Sequence, residues 1–536
     1  MYSWPFSIGN TICAVIFGWT LYFGSKQFRL WRIRRSGTRL GGPTTWNFLT
    51  GFLLGLIDDY TGAVNEERAK KYGLVYKVPL GLGVEIIDIH DPVAVAHTQA
   101  REGQNYGYSK SNKKGLEKLI GKSLLWAEGD LHKKQRKIMS PAFNTSAIRS
   151  FSQTFFDSGH KCKAAWDAII QKAGSGDEAV IDVEEWMYAT SIDSLGIAGF
   201  SHDFESLRGK KSVLAETFES LADFKPDPLL LFLIILSVLI PPLRDFPTER
   251  TRGIQRICDI LGKIGEKLLQ QSRGQGASKE READRSIIGM LLRAEESSSF
   301  SDGDAQEQMK LLILAGYETT ALNMTWTLWD LATNPEKQSK LREELNQLGQ
   351  EPTFEQLNGD ALPYLDAVVK EALRLHPPLP NLGRQACICK VEDVVPLSEP
   401  LKLPDGKVVD HIVIPVGANI NIPVAAINRS ERFWGPDAKE FKPERWIEKD
   451  GIPQSGLDLQ GWNHIFSFSN GPRLCLGRNF AIAEIKAVLS VLVRNFAFEP
   501  RDGADSKIDK YTSLFTRPKL AGETKAALPL RVRRLT

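Results

Sequence analysis

The chain has 536 residues, of which 42% are hydrophobic and 25% charged, an ordinary globular composition with ample material for a large core. A formal charge of +3 argues neither for nor against nucleic acid, but no long basic tract, zinc-type cysteine pair or RNA-binding motif appears, so nucleic acid is set aside as a partner. Six cysteines, at 13, 162, 258, 387, 389 and 475, are sparse and show no disulfide-like spacing, which suggests a reducing compartment for the folded part.

In chain order, the first feature is a nearly uncharged run from Trp4 to Gly24, long enough to cross a bilayer as a helix. No cation precedes it, while Lys26, Arg29, Arg32, Arg34, Arg35 and Arg39 follow closely. By the positive-inside rule the remainder lies on the cytoplasmic side, so residues 1–24 are expected to be an uncleaved signal anchor and 25–45 a basic linker and hinge. A buried core helix is the alternative. Segments Leu74 to Pro79 and Val84 to Ile89 have strand composition, and Asp91-Pro92 opens a helix.

From Gly129 the pattern is again helical, with His132 and Arg136 four apart on one face. Lys133, Lys134 and Lys137 on that helix fit either a solvated face or a docking surface for an acidic partner. Leu229 to Ile240 is apolar but too short to span a membrane; it suits a buried helix or a segment touching the bilayer. Arg273 to Glu282 reads as a surface loop.

Asp302 to Thr333 forms one long helical pattern, opened by acidic residues and closed by Asn334-Pro335. Ala315-Gly316-Tyr317-Glu318-Thr319-Thr320 stands at its centre. A further helix buries Leu365, Val368, Val369, Ala372 and Leu373, with Glu371 and Arg374 three apart beside that stripe. Such pairs are common on surface helices. Cys387-Ile388-Cys389 is too tight for a redox or zinc pair and belongs on a strand.

Near the C-terminal end comes Phe468-Ser469-Asn470-Gly471-Pro472-Arg473-Leu474-Cys475-Leu476-Gly477. Taken alone, it is a cysteine in a tight Gly-Pro turn before a helix, and a buried free thiol is the bland reading.

The loop resembles the signature F-x-x-G-x-R-x-C-x-G of the cytochrome P-450 family, at all five fixed positions. The following helix resembles the family too, with Ala481 and Glu484 at the usual places. The resemblance implies a mainly α fold with small β-sheets, and one large catalytic domain over residues 46–536 where length alone suggests three or four.

It also implies heme b (iron protoporphyrin IX), with Cys475 as the axial thiolate of the iron and Phe468 covering the sulfur. Gly471 would shape the turn and Gly477 would leave room for the porphyrin. Arg473, Arg136 and Arg384 would hold the propionates, with His132 where Trp is usual. Glu318 and Thr319 would relay protons, and Gly316 would leave room for dioxygen. Glu371, Arg374 and Arg445 would form a buried structural ion cluster. Ala315 and Phe515, the latter at the tip of a C-terminal hairpin, would line the substrate pocket.

The implied activity is a haem-thiolate monooxygenase at the endoplasmic reticulum membrane, inserting one oxygen atom of O2 into a lipophilic substrate. No flavin or nicotinamide segment appears, so electrons are expected from NADPH through a separate NADPH-cytochrome P-450 reductase, with cytochrome b5 as a second candidate donor. The style of the Gly129–Phe143 and Phe441–Trp446 segments resembles fungal members that tailor secondary metabolites, which makes a terpenoid the leading substrate guess. The competing readings are a haem-thiolate isomerase or dehydratase that needs no reductase, and a haem-binding protein without turnover.

Overall fold

The computed structural model describes residues 8–52, 61–174, 176–210, 248–274, 286–297, 299–301, 303–386, 392–512, 515–523 and 526–535. Eight helices position the site: α1 (Ile8–Ser36), α2 (Pro92–Ala100), α3 (Gly129–Met139), α4 (Thr145–Ala173), α5 (Val183–Phe200), α6 (Asp304–Thr333), α7 (Pro363–Leu375) and α8 (Arg478–Asn495). The α6 helix is apolar on nearly every side and is therefore buried on nearly every side. Its 30 residues, at about 1.5 Å each, extend roughly 45 Å through the molecule.

Threonines on α6 are compatible with burial because they bond back to the helix. Thr320, Thr325 and Thr327 donate to the carbonyls of Gly316, Ala321 and Asn323 at 3.0, 2.8 and 2.7 Å. Asp304 and Glu307 sit in the first turn, where a helix favours negative charge. Helix α5 packs along α6, and α8 packs along α4 and also touches α6.

The strands form small sheets around this helical body. Strands β1 (Val75–Gly81), β2 (Val84–Ile89), β3 (Glu178–Asp182), β4 (Leu382–Gln385), β5 (Asp393–Lys402), β6 (Val408–Ile414), β7 (Asn419–Ile422), β8 (Phe496–Pro500), β9 (Ile508–Thr512), β10 (Thr516–Leu520) and β11 (Pro529–Arg534) are described. They assemble as a four-stranded sheet β1-β2-β7-β4, a three-stranded sheet β3-β11-β8 and the pairs β5-β6 and β9-β10. In the three-stranded sheet β11 is central, with Pro529 opposite Asp182 on one side and Leu530 opposite Pro500 on the other. The mainly helical class with small sheets is therefore as expected, as are strands at the two segments of strand composition, which pair as β1-β2. The helix opened by Asp91 is also present, its carboxylate accepting the Ala94 N–H at 2.9 Å.

The expected N-terminal anchor is not shown, and residues 4–7 of its span lie outside the described residues. Helix α1 continues through the basic residues to Ser36, and among the described residues no helix is long and apolar enough to cross a membrane. The basic end of α1 lies against the four-stranded sheet, with Gln27 donating to the Leu82 carbonyl at 2.9 Å and Arg34 paired to Glu85 at 3.4 Å. The Gly41-Gly42 segment is tied there too. Lys77 N donates to Gly41 O at 2.9 Å, and a Cβ on Gly42 would fall 1.9 Å from Lys77 O.

The loop expected from Arg273 starts later, because the helix Glu249–Gly274 runs through that residue; 275–282 lie outside the described residues. The apolar run Leu229–Ile240 and the Cys387-Ile388-Cys389 stretch also lie outside them.

Candidate functional site

The cysteine loop is built by backbone geometry that its sequence makes available. Gly471 has φ 63°, and a Cβ there would lie 2.7 Å from the Gln99 carbonyl oxygen at the end of α2, so only glycine lets the loop approach that helix. A short 3-10 turn, Gly471–Arg473, then reverses the chain. The Cys475 N–H donates to Phe468 O at 2.9 Å. The Phe468 ring packs edge-on against Trp462, centroids 5.2 Å apart, so Phe468 holds the loop through both its carbonyl and its ring.

The thiol of Cys475 lies deep in the fold yet borders open space. Burial pushes it up, while the backbone N–H groups of Gly477 and Arg478 and the guanidinium groups of Arg136 and Arg478 favour the thiolate. Gly477 has no conformational need for glycine: its φ is −84°, and a Cβ would meet only Phe143 Cε1, at 3.8 Å. The space beside it is therefore left open by the protein.

A cationic cluster adjoins the thiol. Arg473 donates to the carbonyls of Leu124 and Leu125 at 3.1 and 3.2 Å and to that of Ala127, while its buried Nε has no hydrogen-bond partner among the described residues and lies 4.0 Å from Glu102 Oε1. Arg136 is held low by burial first, with the Arg478 charge adding and the Cys475 thiolate opposing. His132 is pushed down to about 4 by burial, then by the Arg473 and Arg136 charges, and so is neutral near pH 7. Arg384 is turned to Glu102 and to the Gly383 carbonyl at 2.9 Å, over the Tyr108 ring at 4.5 Å, and reaches the cluster as half of an ion pair.

Several guanidinium groups sharing the one carboxylate of Glu102, with Arg473 Nε short of a hydrogen bond, beside a thiol and an open face, suit a flat group bearing carboxylates and a thiophilic metal. Haem fits that donor set.

Helix α6 supplies the other wall. Its run of buried residues is interrupted by Ala315, which is exposed, and Thr319 one turn later is partly exposed, so this pair faces open space. The Thr319 hydroxyl donates to Ala315 O at 2.8 Å, leaving its oxygen lone pairs free to accept.

Glu318 points elsewhere. It is buried against Tyr188 and Glu184 of α5 and Arg517 of β10, and burial pushes its carboxyl up to about 8; the Glu184 charge adds, while Arg517 and Tyr188 oppose. For Gly316 the structure shows a packing contact. A Cβ there would lie 2.9 Å from Leu195 Cδ2, so the missing side chain eases the approach of α5 to α6. Phe515 is half-buried against the core between the paired strands β9 and β10, and residues 513–514 beside it lie outside the described residues.

The structural ion cluster is assembled as expected. Arg374 binds Glu371 through Nε–Oε2 at 2.9 Å and Nη2–Oε1 at 2.8 Å, and Arg445 Nε lies 3.5 Å from Oε1. Arg374 Nη1 also donates to the carbonyls of Asn428 and Ala438 at 2.7 and 2.6 Å. Sequence reasoning missed Trp446, whose Nε1 donates to Glu371 Oε2 at 2.9 Å, although it directly follows Arg445. It also missed Glu102, Tyr108, Tyr188, Glu184 and Arg517, which no local pattern marks. Glu484, on α8, is fully buried facing Ser191 and Ser194, and burial pushes its carboxyl well up.

Comparison with known proteins adds independent findings. The family model described as Cytochrome P-450 matches residues 40–525. The chain is 44% identical over 521 residues to cytochrome P-450 monooxygenase claQ of Ampulloclitocybe clavipes, covering 94% of this chain and 95% of that protein. It is 43% identical over 546 residues to claO of the same fungus, covering 98% of each. Cytochrome P-450 monooxygenase 205 of Postia placenta is 34% identical over 477 residues, covering 85% of each.

Proposed function

The chain belongs to the cytochrome P-450 family, and from that premise we propose that it is a membrane-associated haem-thiolate monooxygenase acting on a lipophilic substrate in secondary metabolism, with terpenoids the first class to screen. The observation that carries this reading is the Cys475 thiol, set on an amide-lined loop beside a guanidinium cluster in which the buried Arg473 Nε has no hydrogen bond among the described residues. Relatives named monooxygenases over nearly their full length support it.

Cys475 would hold the iron of heme b, and Arg473, Arg136 and His132 its propionates; the group supplies oxidation by O2 with electrons from NADPH, delivered by a separate reductase. The chain's own residues do the rest. Ala315 and Thr319 present a small, partly polar wall to the cleft. Thr319 Oγ1 accepts and passes a proton, and Glu318 holds one next to it in sequence. Packing of α5 on α6 through Gly316 keeps that wall dry. The exposed Lys133, Lys134 and Lys137 offer a basic face to an acidic reductase or to cytochrome b5.

Membrane association at the endoplasmic reticulum through the N-terminal segment, with the catalytic body cytoplasmic, is supported by exposed apolar side chains. Phe17, Leu21, Phe28 and Trp31 on α1 and Trp46, Phe48 and Leu49 after it are all exposed, and a basic run accompanies them.

The test is the carbon-monoxide difference spectrum of the reduced protein, for wild type and Cys475→Ala, followed by turnover with NADPH, reductase and isotopically labelled dioxygen. A strongly red-shifted Soret band that the substitution removes, with one labelled oxygen atom in the product, is the expected result. A folded, haem-loaded wild type without that band would overturn the reading.

A further inference from the structure

Among the cations near Cys475 stands a buried acid, Glu102, only 6% exposed. Its carboxylate accepts from Arg384 Nε, and its Oε1 lies 4.0 Å from Arg473 Nε, beyond hydrogen-bond reach. Both guanidinium groups also lie over the Tyr108 ring, at 4.5 Å for Arg384 and 5.9 Å for Arg473. The neighbouring carboxylate of Glu128 is engaged elsewhere, with Lys113 Nζ at 2.5 Å and the Tyr108 N–H at 3.1 Å.

Backbone contacts hold the acid in place. Glu102 and Tyr106 form a β-bridge, and the Tyr106 hydroxyl donates to Asp393 Oδ2 at 2.7 Å. Gly107 N donates to Gln385 O at 3.0 Å and Gln385 N to Gly107 O at 2.8 Å, which ties the segment to β4, the strand that carries Arg384. Acid, ring and guanidinium are therefore fixed relative to one another. Glu102 divides the cations into two kinds. Arg384 is half of a buried pair, whereas Arg473 feels the carboxylate's charge and keeps Nε without a hydrogen bond among the described residues.

We propose that Glu102 is a positioning residue for haem: it withdraws Arg384 from propionate binding, leaves Arg473 Nε for that task, and by its negative charge holds the reduction potential of the iron down. This inference rests on the haem-thiolate reading of Cys475. The sign follows from Coulomb's law. Adding an electron to the iron is harder beside a fixed anion, and easier once that anion is gone and the Arg384 cation stands without it.

The experiment is an anaerobic dithionite titration of the full-length, haem-loaded protein, followed by visible absorbance with mediators of known potential. Glu102→Gln should raise the potential by roughly tenfold in the ferrous-to-ferric ratio, about 59 mV for one electron. Arg384→Met leaves the anion without its cation and should lower it. The double variant removes one charge of each sign and Glu102→Asp removes none, so both should titrate close to wild type.

Opposite shifts in the two single variants that cancel in the double variant support the assignment, since a merely structural role would loosen haem without ordering the potentials by charge. An unchanged or lowered potential in Glu102→Gln, or shifts of one sign in both single variants, would overturn it. If Glu102→Gln retains no haem, a lowered potential in Arg384→Met with a wild-type value in the double variant supports the assignment, and any other pattern overturns it. A haem-loaded wild type without the red-shifted carbon-monoxide band would sink the thiolate reading, while the order of the potentials would still decide the role of Glu102.

Discussion

Arg374 and Glu371 meet through two parallel hydrogen bonds of 2.9 and 2.8 Å, and neither side chain has any exposure to solvent. The geometry satisfies the carboxylate only together with Trp446 Nε1 and Lys442 N, at 2.9 and 3.0 Å. The Arg374 charge, opposing the effect of burial, holds the Glu371 carboxyl below its usual range. The pair is a lock between α7 and the segment 428–446.

Glu371→Gln leaves two buried guanidinium groups, those of Arg374 and Arg445, short of their counter-charge. We expect a loss of about 3–5 kcal/mol, enough to abolish haem-loaded soluble protein. Denaturant unfolding followed by far-UV circular dichroism would measure it; unchanged stability would mean that the carbonyls of Asn428, Ala438 and Glu440 suffice to hold Arg374.

Two glycines of the cysteine loop should separate folding from cofactor binding. Gly471→Ala combines a left-handed backbone with a 2.7 Å approach to Gln99 O, so it should cost on the order of 2 kcal/mol even without haem. Gly477→Ala meets nothing closer than 3.8 Å, so the haem-free protein should keep its stability within about 0.5 kcal/mol while haem affinity falls. Thermal unfolding of haem-free protein, paired with haem titration, reads both. Equal effects of the two substitutions on haem-free stability would contradict the account.

His90 should contribute a specific acid sensitivity. It is fully buried beside the Tyr76 hydroxyl, 3.2 Å from Nε2, and burial pushes it down to about 3. Between pH 6.5 and about 3 the unfolded chain binds a proton that the folded chain refuses, so stability falls as pH falls through that window, by on the order of 5 kcal/mol in full. In His90→Phe this part of the slope should disappear. Stability curves for the two proteins that remain parallel from pH 7 to 4 would show that His90 does not carry it.

The parts of this protein that were readable in advance are those whose chemistry sits in a short stretch. The Phe468–Gly477 loop, the long helix around Thr319 and the Glu371–Arg374 spacing each announce themselves within ten residues or so. The strands at 75–81 and 84–89 were legible, the first to within two residues, from β-type composition.

What escaped was pairing at long range. Arg517 and Glu184 are 333 positions apart, and no periodicity on β10 or α5 indicates that they meet. The packing contact at Gly316 is hidden for the same reason. Its neighbour Leu195 lies on another helix, so a glycine required by helix packing looks identical, in sequence, to one required by a ligand. The anchor expectation followed from counting apolar residues, whereas the basic half of α1 is bound to the sheet by Gln27 and Arg34, contacts that hydropathy does not report.

The ladder joining Asp182 to Pro529 has a bearing on how the molecule is made. A central strand that comes last in its sheet cannot template its neighbours, so β3 and β8 must each wait with an open edge until β11 has been synthesised. During translation the nascent chain therefore exposes unpaired backbone at two places while most of the helical body is already available to fold. Slower elongation would lengthen that exposure, and yield in a heterologous host should depend on chaperone supply during synthesis more than on the stability of the finished fold.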